Sequence, residues 1–209
     1  MNFNGYNQED KYLLENCFWG QTGRFFLEVG AHDGLYGSDT LIFEREFGWS
    51  GILIEPVPEM FQTLKANRKG PCVQVCLAGN RREVTFRQPP DSRFSSIKDG
   101  HLSKWDMPTK RSVTMETKLL ADVLKECGAP SVIDLWVFDI EGAEDEVIAT
   151  FPFNEYRFNV IVVEKDHTDM EVVTKTLEAN KYVKTVNIGW DTVFRHAGFV
   201  PSVKPSSMK

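Results

Sequence analysis

Two acidic patches hold the side chains of this chain best suited to chemistry. FDIEGAE, residues 138–144, carries Asp139, Glu141 and Glu144 at the end of an apolar run. VIVVEKDH, residues 160–167, ends a second apolar run with Glu164, Asp166 and His167. Carboxylates and an imidazole at strand ends could remove a proton from a hydroxyl. They could also hold a divalent cation, Mg²⁺ through oxygen or Mn²⁺ through oxygen and imidazole. The metal is an option rather than an expectation. His167 is the neatest single base, since unperturbed imidazole titrates near ~6.5. Plainer readings stand beside these: Asp139 as a helix cap, Glu141, Glu144 and Asp145 as first-turn acids, His167 as a surface polar group.

A third stretch reads as a ligand cradle. FFLEVGAHDGLYGSDT, residues 25–40, is a strand followed by a glycine turn and a helix start. Gly30 and Gly34 lie just past the strand, where open α/β sheets bind ligands. The spacing of Gly30, Gly34 and Gly37 is wrong for the G-x-G-x-x-G dinucleotide fingerprint. Glu28 and Asp33 would repel a pyrophosphate and suit a cationic ligand. S-adenosylmethionine, with its sulfonium and α-ammonium groups, is such a ligand, and Glu28 or Asp33 could accept from the ammonium. Glu55 closes the next strand, where an acid can take both ribose hydroxyls. His32 could touch the cofactor, and Ala78 and Gly79 suit its adenine wall. Ser38 or Asp39 could cap the helix.

These residues need a sheet to bring them together. Apolar runs at 25–29, 51–55, 72–78, 132–140 and 159–164 alternate with helical patterns at 40–47, 58–67, 119–128, 143–150 and 169–180. That order predicts an α/β domain with a mostly parallel sheet. Residues 82–88 and 112–117 read as further strands, and 181–196 as two strands joined near Gly189. Residues 1–5 and 198–209 read as loose ends of one domain. The polar segment 89–110, with Phe94, Ser95, Ser96, His101 and Trp105, is too long for a compact connection, and a substrate flap and a plain mobile loop fit it equally.

Several motifs in order resemble the FkbM-type methyltransferases. They are NQEDKYLLENCF (7–18), the glycine turn with its small polar triplet Ser38-Asp39-Thr40, and GWSGILIEPVPEMFQTLKANR (48–68), which includes Glu55 and Pro56. FSSI (94–97), FDIEGAE, VIVVEKDH and GWDTVFRH (189–196) continue the series. Asp39 departs from a common asparagine, and Phe138 stands where lysine often precedes the aspartate. The resemblance implies a class I S-adenosylmethionine-dependent methyltransferase fold: a Rossmann-like three-layer sandwich whose seven-stranded sheet ends in an antiparallel hairpin. It implies O-methylation of a hydroxyl on a small molecule or glycan. It also implies that the segment with Gln8 and Asp10 folds over the cofactor, and it raises the standing of Asp139 and Glu141.

Bulk properties narrow the field. The net charge of −6 argues against a nucleic-acid partner. Arg81, Arg82, Arg87 and Arg93 read as a solvated surface. No apolar run reaches the ~20 residues of a membrane span. The four cysteines form no CxxC pair, and no signal-peptide core is evident, which suits a reducing, cytoplasmic setting. The competing functions are a non-catalytic interaction module on the same fold, an NAD-dependent oxidoreductase, and a protein or RNA methyltransferase. The acidic turn speaks against NAD, and the chain has no NPPY-like motif for amino-group acceptors.

Overall fold

A computed structural model describes residues 1–104 and 106–208, with the side chain of Lys104 also outside the description. Trp105, named above in the long segment, lies outside the described residues. The elements run α1 (Glu9–Asn16), β1 (Phe25–Val29), α2 (Leu41–Phe47), β2 (Ser50–Ile54), α3 (Pro58–Asn67), β3 (Cys72–Val73), β4 (Cys76–Leu77), β5 (Glu83–Gln88) and α4 (His101–Lys104). They continue with β6 (Arg111–Lys118), α5 (Leu120–Glu126), β7 (Val132–Phe138), α6 (Glu144–Thr150), β8 (Arg157–Glu164), α7 (Met170–Ala179), β9 (Tyr182–Ile188) and β10 (Asp191–His196).

Period-two alternation in β1 explains the layering. Phe26 points to one core with Leu13 and Leu14 of α1, Ile42 and Phe43 of α2, and Leu64 of α3. Leu27 and Val29 point to the other, with Val123, Val147, Ile148, Val173 and Leu177 of α5, α6 and α7. Burying each large apolar side chain stabilises the fold by about 1.5–3 kcal/mol. The sheet between these cores has the order β3-β2-β1-β7-β8-β10-β9. Its pairs are parallel except those of β10, which runs antiparallel to β8 and β9. Strand order reverses between β1 and β7, so a crevice opens beyond their carboxyl ends. The expected sheet with its final hairpin is therefore present.

One strand expectation needs correcting. Residues 72–78 do not form one strand. Cys72 and Val73 pair with Leu53 and Ile54, while Cys76 and Leu77 leave to pair with Thr117 and Lys118. They join a second, three-stranded sheet of order β4-β6-β5. One bidentate pair of bonds from Arg82 to Glu146, at 2.8 and 2.7 Å, ties this sheet to α6.

The four arginines make no basic patch. Arg81 pairs with Asp122, Arg82 with Glu146, Arg87 with Asp99 and Arg93 with Asp91. The chain ends make specific contacts rather than trailing. Asn4 donates from its backbone to Asp10 and from its side chain to the Leu35 carbonyl. Ser202 bridges to Phe18, its hydroxyl donates to the Trp19 carbonyl, and Lys204 pairs with Glu15. Among the described residues, no helix is long and apolar enough to cross a membrane.

Candidate active site

Gly30 forms the floor of the crevice. Its φ is +81°, and a Cβ there would lie 1.7 Å from the Asp139 carbonyl oxygen. Only glycine permits both that conformation and that approach of the β1 and β7 ends. The adjacent cavity, of about 400 Å³, opens between the ends of β1, β2, β7 and β8 and the start of β10.

Glu28 lies on the Phe26 face of β1 and is buried. Its Oε2 accepts from Ser38 Oγ at 3.0 Å, Thr40 Oγ1 at 2.5 Å and Arg68 Nη1 at 3.0 Å. Arg68 also donates to Gly34 O, Ser38 Oγ, Thr40 Oγ1 and Glu44 Oε2, and its guanidinium lies 5.4 Å from the centre of the Phe26 ring. Ser38 and Thr40 therefore hold Glu28 and Arg68 instead of capping a helix or lining the cavity. Thr40 is the N-cap of α2 by position, without a side-chain capping bond, which corrects the choice of Ser38 or Asp39. Gly34 supports the turn from outside the cavity, since a Cβ there would meet Arg68 Cγ and Leu64 Cδ1 at 2.6 Å. Asp33 also faces away: its Oδ1 accepts from the N–H groups of Leu35 and Tyr36, each at 2.9 Å. It braces the turn and, unlike Glu28, does not line the cavity.

Glu55 and Pro56 do line the cavity, with Glu28, Gly30 and His32. Glu55 accepts from the backbone N–H of His32 at 2.8 Å and of Val57 at 2.7 Å. Burial pushes its carboxyl up to about 7, against the lowering effect of those two bonds. His32 has φ +48° and its Nε2 lies 3.0 Å from Ser92 Oγ; burial lowers its pKa. Ala78 and Gly79 are not on the wall. Gly79 is pressed against Glu146, where a Cβ would sit 2.5 Å from the carbonyl oxygen. The departure of β4 to the second sheet puts Val75, Cys76 and Leu77 there in their place.

Asp139, Glu141, Glu164 and His167 all reach the cavity, as does Asp166. Asp139 keeps surface open to the cavity although protein atoms crowd around its carboxyl. One carboxylate oxygen from each of Asp139, Glu141 and Glu164 falls within 4.8 Å of the others. Burial raises all three. Repulsion from Glu144 adds to the rise of Asp139, to about 7, against hydrogen bonds from Glu164 and the Glu141 N–H; repulsion from Asp139 adds to the rise of Glu141 and Glu164. Glu144 is elsewhere. It is fully buried and accepts from the N–H of Ile140 at 2.6 Å, the N–H of Gly142 at 3.0 Å and the Thr168 hydroxyl at 2.7 Å. It locks the turn that carries Glu141.

Glu9 and Asp191 were not singled out from the sequence, and Asp39 was read there only as a helix cap and motif position. Asp39 and Asp191 line the cavity with Glu9 of α1. Burial raises Asp39 well above the usual carboxylate range and Asp191 to about 8, with neighbouring acids adding to both. Glu9 sits between Gln8, which is exposed, and Asp10, which is buried and ties down the N-terminal loop. The segment expected over the site thus contributes Glu9, and Tyr6, just ahead of that segment, joins it. Tyr6, Tyr36 and Trp190 line the cavity yet stay 49%, 58% and 54% exposed, so they mark its mouth. The Arg93 guanidinium lies 5.9 Å from the centre of the Tyr6 ring and 5.2 Å from that of Tyr36. The long segment covers this side: Ser92, Phe94, Ser95 and Ile97 line the cavity, and Ser96 Oγ donates to Glu141 O at 2.6 Å. The aromatic and acidic residues around Tyr6, Asp39 and Trp190 carried only one sequence signal, their position in motifs next to the glycine turn and the last hairpin.

A seven-stranded sheet of this order, with its last strand antiparallel and a cavity at its switch point, defines the class I methyltransferase fold. Residues 28–200 match the family described as the methyltransferase FkbM domain. The chain belongs to that family. No curated protein matches it. It is similar to a solved methyltransferase from Pyrococcus furiosus, with 12% identity, 83% of this chain and 75% of that one covered, and a TM-score of 0.42. A precorrin-6y C5,15-methyltransferase from Geobacter metallireducens GS-15 is similar at 13% identity, with 83% and 78% covered and a TM-score of 0.42. An RNA methyltransferase from Salinibacter ruber, in complex with S-adenosyl-L-homocysteine, is similar at 14% identity, with 89% and 86% covered and a TM-score of 0.39.

Proposed function

We propose that this chain uses S-adenosylmethionine to methylate a hydroxyl on a small molecule or glycan. The observation that carries this reading is the acidic lining of the cavity. Among the described residues, no N–H or hydroxyl donates to the buried oxygens Glu9 Oε1, Asp39 Oδ1 and Glu164 Oε2. Burial disfavours the charged form of Asp39 and Glu164, and a cation entering the cavity would offset that cost and let them ionise against it. A sulfonium or an ammonium answers that need, whereas the pyrophosphate of NAD would be repelled. Family membership supports the same cofactor.

When bound, S-adenosylmethionine supplies an electrophilic methyl group whose transfer leaves a neutral thioether. The protein's tasks are alignment and proton removal. Gly30, Glu55 and the wall at 75–77 would hold the nucleoside, with both Glu55 oxygens close to the turn backbone. Glu28, oriented by Arg68, Ser38 and Thr40, would face the amino-acid end. Asp139, open to the cavity beside Glu141 and Glu164, would take the acceptor's proton as its oxygen bonds to the methyl carbon. Tyr6, Tyr36 and Trp190 offer ring faces at the mouth, which suits a sugar or a flat small molecule.

Calorimetry with S-adenosylmethionine, its demethylated product and NAD tests the reading. Binding of the first two and none of NAD is expected; NAD binding without the others would sink it. Cofactor binding with no turnover across a broad panel of hydroxyl acceptors would favour the interaction-module alternative.

A further inference from the structure

His101 belongs to the long covering segment, far in sequence from the two acidic strand ends, yet it meets them. Its side chain is 1% exposed, and its Nε2 lies 3.2 Å from Glu141 Oε2. His167 Nε2 lies 3.8 Å from the same oxygen. The two imidazoles stand edge to face, with centres 4.2 Å apart. One ligand atom from each of His101, Glu141 and His167 lies within 4.8 Å of the others. An ion with bonds of about 2.0–2.2 Å holds adjacent ligand atoms roughly 3–3.5 Å apart. The two imidazole–carboxylate spacings, 3.2 and 3.8 Å, lie close to that.

A second observation concerns the turn. Glu141 has φ +61°, a left-handed conformation that a residue with a Cβ adopts at a cost. Gly142 follows at φ +110°, where a Cβ would come within 2.9 Å of Lys98 Cδ and 3.3 Å of His167 O. Glu144 fixes the N–H groups on both sides of Glu141. Ser96 holds the Glu141 carbonyl, and Lys98 Nζ donates to His167 O at 3.0 Å. The covering segment and both strand ends thus combine to hold one strained carboxylate against two imidazoles. Such strain persists where surrounding contacts impose it, and it collects at functional sites. The acids Asp139 and Glu164 form a further triad with Glu141, which gives a cation oxygen ligands or counter-charge on its cavity side.

We propose that His101, Glu141 and His167 bind a divalent first-row transition ion. Two imidazoles with carboxylate select Mn²⁺, Co²⁺ or Zn²⁺ over Mg²⁺ or Ca²⁺, which prefer oxygen alone. Glu141 and His167 face the cavity, so the ion's open positions look toward the acceptor. A hydroxyl reaching the ion loses its proton more readily. The O–H bond breaks, the proton passes to Asp139, and no redox change is involved. This role rests on the hydroxyl-methylation reading, whereas the metal site itself does not.

The test uses the full chain, stripped with chelator and titrated with Mn²⁺ alone. Free Mn²⁺ is followed by electron paramagnetic resonance, and Co²⁺ binding by its visible absorption. Saturable binding of one ion per chain is expected, with Mg²⁺ a poor competitor. His101→Gln and His167→Gln should each weaken Mn²⁺ binding by at least the ~10- to 100-fold that loss of an outer-shell partner costs. Calorimetry on His101→Gln should find S-adenosylmethionine affinity unchanged, because His101 does not line the cavity. Circular dichroism checks folding, and Glu141→Gln replaces any variant that does not fold. Absence of saturable binding by wild type, or binding equal to wild type in folded variants, overturns the site. Loss of cofactor binding in wild type would count against the functional reading alone.

Discussion

Arg68 is the perturbation that tests how the cofactor turn is held. Its guanidinium donates to Glu28 Oε2 at 3.0 Å, Glu44 Oε2 at 3.3 Å, Thr40 Oγ1 at 2.8 Å, Ser38 Oγ at 3.0 Å and Gly34 O at 3.2 Å. The Arg68 side chain is 0% exposed, with Glu28 at 5% and Glu44 at 6%. Arg68→Met keeps an aliphatic side chain in the buried space but strands two buried carboxylates. Removing one partner of a buried pair costs about 3–5 kcal/mol, because the remaining charge has lost its compensation. For a chain of this length, each kcal/mol shifts Tm by about 2–4 °C, so a fall of roughly 6–20 °C is expected. Urea unfolding supplies the free energy. The Glu28→Gln/Arg68→Met pair should be less destabilised than the two single losses summed, by about 0.5–3 kcal/mol, since the double variant strands one charge fewer. If Arg68→Met unfolds within about 0.5 kcal/mol of wild type, as a neutral surface change would, or the two changes simply add, the network does not anchor the turn.

Gly30→Ala must part the ends of β1 and β7 and enter a left-handed conformation that costs about 1–2 kcal/mol before any clash; urea unfolding should show more than that loss, and calorimetry a cofactor affinity down at least ~10-fold. Glu55 gives a pH signature. Its folded pKa of about 7 lies above its ordinary value of 4.5, so the folded state holds the proton more tightly. The stability this contributes is full below about pH 4.5 and is lost as pH rises through about 7. Thermal melts of wild type should therefore decline over that window, and Glu55→Gln should flatten the decline while weakening S-adenosylmethionine binding. Asp139→Asn removes the proposed base and should lower kcat by about 10²–10⁴, with calorimetric cofactor affinity retained. Trp190→Ala should raise the acceptor KM by ~2- to 10-fold through lost ring contact; equal kcat/KM for all acceptors in both proteins would remove Trp190 from the mouth.

What the sequence determined by itself is local in origin. Short continuous apolar runs placed β1, β2, β7 and β8, the helical pattern from Pro58 placed α3, and Gly189 marked the last hairpin. Those signals depend on neighbours a few residues away, and they put Gly30, Glu55, Asp139 and Glu164 at strand ends on one edge of a sheet. Tertiary structure decided the rest. It turned Glu28 to Arg68, split residues 72–78 between two sheets, and so moved the wall from Ala78 and Gly79 to 75–77. It converted Asp33, Ser38 and Thr40 from ligand candidates into braces. It also brought Glu9, Asp39 and Asp191 into one buried acidic lining, and set His101 against Glu141 and His167. None of these pairings has a periodicity to announce it. Each depends on which distant side chain fills the space beside a buried charge, and only packing the whole sheet against its helices determines that.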